Sequence, residues 1–256
     1  MKKHSIKFLI LSILLISISC ASKKDVLYLQ DIDSLNTEMD TLKNTPVIRK
    51  NDLLAITVSS VDKISAQPFN LPVVAVGNQT QVMGNQQLQT YLVDANGNIE
   101  FPVLGTIKVA GLTKINAVEY LKKEISKYVK NPIINLRITN FKVSVLGEVS
   151  RPGTFTIQDE RITILEALSL AGDMTVYGKR KDVLVIREEN GKKTYNKLDF
   201  TKASLLTSPY YYLQQNDVVM VSPNGAQVQS SAFNRNTSVY VSIISLLITV
   251  ATLLTR

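Results

Sequence analysis

Leu54, Ile56 and Val58 alternate with Ala55 and Thr57, a period of two that predicts a half-buried strand. Lys50-Asn51-Asp52 precedes it as a turn, with Val47-Ile48 as a shorter strand before that. Residues 69–90 are rich in Asn, Gln and Gly and hold no sustained period, so they predict a long loop. Tyr91-Leu92-Val93 and Ile99-Glu100-Phe101 flank Asn96-Gly97, a pair suited to the positive φ of a tight hairpin turn. Pro102, Gly105 and Gly111 break the next strand. Thr113 then caps a helix expected to run to about Lys130, with Val118, Leu121, Ile125 and Tyr128 as its apolar face. Lys127 and Lys130 suit its negative end, Pro132 stops it, and residues 133–138 are a strand. A second unit opens with Val143, Val145 and Val149. It turns at Arg151-Pro152-Gly153 and continues through the strand at 154–157. Thr163 and Glu166 have the spacing of a capping box, and Gly172 closes that helix. Residues 183–187 and 194–198 flank Glu189-Asn190-Gly191 as a hairpin, and residues 217–221 close the unit before Pro223. Short strands around one helix in each unit predict an α+β fold, the second unit β-grasp-like.

The two ends read differently. Lys2, Lys3 and Lys7 precede an apolar run over residues 8–18, too short to span a bilayer and shaped like a secretory signal. Ser19 and Cys20 follow it directly, as in a bacterial lipobox, with Ser17 and Ile18 where such boxes carry other residues. Cys20 is the expected lipidation site. An ordinary signal with a chance cysteine is the alternative. At the other end, Ser238 to Arg256 is uncharged until its last residue. As a helix it would be about 28 Å long, near the thickness of a bilayer core. Ser238, Ser242, Ser245, Thr249, Thr252 and Arg256 fall within an arc of about 80° at 3.6 residues per turn. Ile243, Leu246, Leu247, Val250 and Leu254 lie opposite. Such a helix can line water while facing lipid, or pack its small face on a neighbour; a lone anchor needs no stripe.

Composition narrows the chemistry. The net charge of +8 includes the three leader lysines. The runs Lys23-Lys24 and Lys179-Arg180-Lys181 are short and expected on solvated surface, so no nucleic-acid partner is expected. The one histidine is His4 and the one cysteine is Cys20. A chain cut before Cys20 has no imidazole for a Ser–His or Cys–His pair and no Cys/His set for zinc. No catalytic residue, metal site or cofactor is expected. A glycosidase would need two carboxylates across a cleft. Glu100, Glu148, Glu166 and Asp217 are candidates, each with a structural role available as a cap or strand-end residue.

Residues 94–112, with Ile99-Glu100-Phe101-Pro102, Leu104-Gly105 and Gly111-Leu112-Thr113, resemble the polysaccharide export domain. Val145-Leu146-Gly147-Glu148-Val149, Pro152-Gly153, Leu165-Glu166-Ala167, Ala171-Gly172 and Asp217-Val218-Val219 resemble an SLBB domain, a soluble-ligand-binding β-grasp. Lys50-Asn51-Asp52 stands where the family usually has Pro-Gly-Asp. The chain thus resembles outer-membrane polysaccharide export lipoproteins of the Wza type. The resemblance implies a signal peptide over residues 1–19, a lipidated tether over 20–45 and an export domain over 46–140. It further implies an SLBB domain over 141–223 and a C-terminal transmembrane helix over 236–256. It implies a homo-oligomeric ring lying in the periplasm and outer membrane and exporting a capsular or extracellular polysaccharide without covalent chemistry. The implied partner is an inner-membrane polysaccharide co-polymerase, often a tyrosine autokinase. The competing expectation is a lipid-anchored periplasmic sugar-binding or adaptor protein without a pore of its own.

Overall fold

A computed structural model describes residues 23–34, 46–72, 74–76, 85–87, 89–189, 191–232 and 237–254. The first unit carries β1 (Leu53–Ser59), α1 (Lys63–Ala66), β2 (Val74–Val76), β3 (Asn85–Gln87), β4 (Tyr91–Leu92), β5 (Asn98–Phe101) and β6 (Gly105–Lys108). It ends with α2 (Lys114–Ile125) and β7 (Ile133–Ile138). β1 is the centre of an antiparallel sheet ordered β4-β1-β7. Its alternation holds: Leu54, Ile56 and Val58 are buried against Leu136 and the Ala117, Leu121 and Ile125 face of α2.

Three local expectations change. Asn96-Gly97 does form a tight turn, with Gly97 at φ +87° and the Asp94 carboxylate accepting from the N–H groups of Asn96 and Asn98 at 2.8 Å each. Its flanks do not form one ladder, however: β4 pairs with β1, while β5 pairs with β6 across Pro102–Leu104. Likewise α2 starts at the Thr113 cap, whose hydroxyl accepts from Asn116 N–H at 3.2 Å, but ends at Ile125. There the Ser126 hydroxyl donates to the Lys122 carbonyl at 2.6 Å, and Tyr128 falls outside the buried face. Within the expected loop, β2 and β3 pair as a short antiparallel ribbon.

The second unit carries β8 (Lys142–Gly147), β9 (Gly153–Thr156), β10 (Ile162–Thr163), α3 (Ile164–Leu170), β11 (Val183–Glu189), β12 (Lys192–Leu198), β13 (Tyr212–Leu213) and β14 (Val218–Val221). Five strands run in the order β12-β11-β14-β8-β9. The first and last strands of the unit, β8 and β14, lie side by side and parallel; the other pairs are antiparallel. Val143, Val145, Val185 and Val219 share one core with Ile164, Ala167 and Leu168 of α3. The capping box is complete, with Thr163 N–H donating to the Glu166 carboxylate at 2.7 Å and Glu166 N–H donating to the Thr163 hydroxyl at 3.2 Å.

Part of the expected tether is docked on this second core. Leu29 N–H donates to the Phe200 carbonyl at 3.0 Å and Gln30 N–H to the Thr201 carbonyl at 2.8 Å. The Tyr28 hydroxyl donates to Asp173. Arg180, expected on solvated surface, is buried instead: its guanidinium donates to the carbonyls of Thr175 and Gly178 and lies over the Tyr28 ring.

Two helices end the chain, α4 (Gly225–Ala232) and α5 (Thr237–Leu254). Every residue of α5 whose burial is described is exposed, including Ile243, Leu246, Leu247 and Ile248. Among the described residues, no helix is long and apolar enough to cross a membrane. The membrane helix expected over 236–256 is therefore unsupported. The described helix stops at Leu254 at about 27 Å, and the hydroxyl residues Ser242, Ser245 and Thr249 dilute its apolar run.

The β8–β14 pairing generates a prediction. Gly147 sits at φ +91°, and a Cβ there would meet the Val221 carbonyl oxygen at 2.0 Å. Gly147→Ala therefore costs both left-handed strain and a broken strand contact, about 3 kcal/mol or more. Gly191→Ala, at φ +74° in open space, costs about 1–2 kcal/mol. Urea unfolding of the two variants measures the difference, and equal losses would contradict the close approach.

Candidate functional site

Only three residues, Thr139-Asn140-Phe141, link β7 to β8. The Asn140 side chain accepts from Leu53 N–H at 2.9 Å and donates to the Asn51 carbonyl at 2.8 Å. Its own carbonyl accepts from the Gln215 amide at 2.7 Å, and the Gln215 oxygen accepts from Lys142 N–H at 2.8 Å. Asn51 holds the turn at φ +68°, a left-handed conformation that asparagine tolerates better than most residues.

Above this link the two units enclose a cleft of about 590 Å³. Arg49, Asp52, Lys114 and Arg137 come from the first unit, and Gln158, Asp159, Glu160, Arg161, Glu189, Tyr212 and Gln214 from the second. Two ion pairs cross it. Arg49 binds Glu189 at 2.9 Å and also reaches the Glu188 carbonyl and the Gln214 amide oxygen. Lys114 pairs with Glu160. Both pairs are partly exposed, and each is worth about 1 kcal/mol or less.

A buried ion pair supports the second wall. Arg187 binds Asp217 through Nε and Nη2, at 2.7 Å for the shortest contact, with side chains 6% and 0% exposed. Arg187 also donates to the Tyr212 carbonyl at 3.0 Å, and Asp217 accepts from Gln214 N–H at 2.8 Å. Burial raises the Asp217 carboxyl above its ordinary value, while Arg187 and the Gln214 N–H oppose that shift. The pair thereby fixes Tyr212, over whose ring the Arg161 guanidinium lies at 5.2 Å. On the first wall Asp52 is 1% exposed. Its Oδ2 accepts from Arg49 N–H at 2.8 Å and its Oδ1 has no partner among the described residues. Burial raises this carboxyl too.

The carboxylates weighed for glycoside hydrolysis are engaged locally. Glu100 accepts from the Thr106 hydroxyl at 2.6 Å and Glu148 from Thr175 at 2.9 Å. Glu166 closes the capping box, Asp217 pairs with Arg187, and none of the four lines the cleft. Ser242, Ser245 and Thr249 are exposed on α5, with the Thr249 hydroxyl donating back to the Ser245 carbonyl at 2.9 Å. Ser238 and Thr252 lie on the same helix. Cys20 and Arg256 lie outside the described residues. The cleft residues carry no shared sequence signal, because they come from segments scattered between residues 46 and 215. A partial pointer is the polar cluster Gln158-Asp159-Glu160-Arg161 between strands.

Two α+β units, the second with parallel first and last strands over one helix, define a two-domain protein with a cleft between its domains. Residues 41–139 match the family described as polysaccharide biosynthesis/export protein, and residues 141–221 match the SLBB domain. Together the two matches span residues 41–221 and make the chain similar to Wza-like polysaccharide export proteins, a family of transport proteins. It is 28% identical over 195 residues to the EPS I polysaccharide export outer membrane protein EpsA of Ralstonia solanacearum, covering 73% of this chain and 51% of that one. It is 31% identical over 134 residues to the protein of the same name from Ralstonia nicotianae, strain ATCC BAA-1114 / GMI1000, covering 51% and 35%. The chain therefore spans about half the length, or less, of these relatives.

The ion pair under the second wall is open to test. Asp217→Ala leaves Arg187 buried without a counter-charge and costs about 3–5 kcal/mol. Replacing both by apolar residues, Arg187→Met with Asp217→Leu, recovers much of that loss. Denaturant midpoints for the single and double variants check this, and a double variant as unstable as the single would refute the assignment.

Proposed function

We propose that the chain is a subunit of an oligomeric outer-membrane assembly that exports a capsular or extracellular polysaccharide from the periplasm. The observation that carries the reading is the export domain followed directly by an SLBB domain, in a chain similar to two proteins named for polysaccharide export at the outer membrane. An exposed uncharged helix supports it, since α5 leaves Ile243, Leu246, Leu247 and Ile248 open to solvent. In this reading Cys20 carries the lipid, copies close into a ring, and an inner-membrane co-polymerase delivers the polymer.

The attachment points of the chain fit such an assembly. Tyr28 lies against Arg180, and the neighbouring Lys179 N–H donates to the Ser222 carbonyl at 2.8 Å. The N-terminal segment and the exit toward α4 and α5 thus leave one end of the SLBB domain. A lipid before the first and a helix after the second would hold the same end at the membrane. Packed in a ring, copies of α5 would turn Ser242, Ser245 and Thr249 toward water and Ile243, Leu247 and Val250 toward lipid. The absence, among the described residues, of a helix fit to cross a membrane alone favours the second reading: a lipid-anchored periplasmic sugar-binding or adaptor protein.

Deleting the gene should bring secreted polysaccharide to background and leave polymer in the cell envelope. Unchanged secretion would end the export reading. Complementation with a chain stopped after residue 232 separates the alternatives: it fails for a pore subunit and restores secretion for an adaptor.

The stripe has its own test. With Cys20 retained and acylated, Ser245→Cys and Thr249→Cys should react with a membrane-impermeant maleimide and Leu247→Cys should not. Leu247→Lys should also impair membrane assembly far more than Ser245→Lys, since a charge at mid-bilayer costs about 2.5–3.5 kcal/mol. Reactivity without a helical period would leave only a plain anchor.

A further inference from the structure

The cleft between the export and SLBB domains has a chemistry of its own. Its volume, about 590 Å³, lies within the range of small-molecule sites. Of the cations on its walls, Arg49 and Lys114 are already neutralised by Glu189 and Glu160. Arg137 on β7 and Arg161 before β10 line the same cavity, and neither forms an ion pair among the described residues. The Arg161 guanidinium is laid over the Tyr212 ring, and Tyr212 is itself held by Arg187. One planar fork is thus set in place before any ligand arrives. Opposing charge is limited. Asp159 is exposed and water-screened, and Asp52 is buried, accepting from Arg49 N–H at 2.8 Å. Asp52 Oδ1 is shut off from solvent within the wall, without a partner among the described residues. The Gln214 oxygen is taken by Arg49, while its amide nitrogen donates to nothing among the described residues.

From this arrangement we infer that the cleft binds a carboxylate-bearing sugar residue of an acidic oligosaccharide. Arg137 of one domain and Arg161 of the other grip its carboxylate, and the Gln214 amide donates to one of its hydroxyls. The inference rests on the export reading for the source of the saccharide, since the exported polymer would supply it; the site chemistry stands apart from that reading. A ligand held by both domains also ties their relative position to its presence.

Isothermal titration of the full-length protein in detergent tests the site, with a hexamer of galacturonic acid as probe and maltohexaose as its neutral counterpart. The acidic hexamer should bind, and binding should weaken as salt rises. The neutral hexamer should bind at least about tenfold more weakly. Arg137→Ala and Arg161→Ala should each weaken the acidic hexamer by about tenfold or more, with thermal unfolding unchanged because both side chains are exposed. Arg161→Lys should restore part of the loss, and Lys63→Ala on α1, exposed and outside the cleft lining, should change nothing. Equal affinity for both hexamers would overturn the inference. So would arginine variants that bind as tightly as the parent, or absence of acidic binding at millimolar hexamer. Arginine variants that alter oligomeric state but not affinity would assign the cleft to a neighbouring copy and also overturn it. The two readings fail separately. Binding lost in Arg137→Ala, with secretion intact in the deletion strain, keeps the site and removes export. Secretion lost on deletion, with no acidic binding, removes the site and keeps export.

Discussion

The Arg187–Asp217 pair is the interaction on which the junction depends. Both charges are almost wholly withdrawn from water, a costly arrangement unless every hydrogen-bonding position is used. Here positions on both partners are used to build structure: the Tyr212 carbonyl of β13 and the Gln214 N–H of the segment after it close on the pair. That segment then reaches the other domain, Gln214 to Arg49 and Gln215 to the Asn140 backbone. Asn140 in turn satisfies Leu53 N–H and the Asn51 carbonyl at the start of β1. A single buried pair thus sets the wall, the wall meets the linker, and the linker fixes the first strand of the export domain.

In the proposed export role, the cleft would meet a moving polymer. Passage of a polymer requires contacts strong enough to admit each segment and weak enough to release it. A cleft crossed by partly exposed ion pairs, each worth little, meets that requirement. Glu100, Glu148, Glu166 and Asp217 each bond to a residue of their own domain.

Much of this fold was legible in the sequence. The alternation of Leu54, Ile56 and Val58, the Thr113 cap and the Thr163–Glu166 capping box depend on neighbours within one element, and each has the predicted form. Errors arose where distant partners decide. β4 joined β1 rather than β5, because β5 had a nearer partner in β6. Arg180 read as one of three surface charges, yet carbonyls contributed by the loop before it and the face of Tyr28, some 150 residues away, hold it inside. The cleft left only one partial trace in the sequence, the polar run Gln158-Asp159-Glu160-Arg161. Arg49, Arg137, Arg161 and Tyr212 become neighbours only when the two domains meet, and no periodicity connects them.

The central claim is that this chain works as a subunit of an export assembly, and the oligomeric state of the intact protein tests it most directly. Light scattering of the full-length protein, extracted from membranes in mild detergent, should find one closed species of several copies whose size does not change with concentration. A strictly monomeric protein, across detergents and concentrations, would contradict the account.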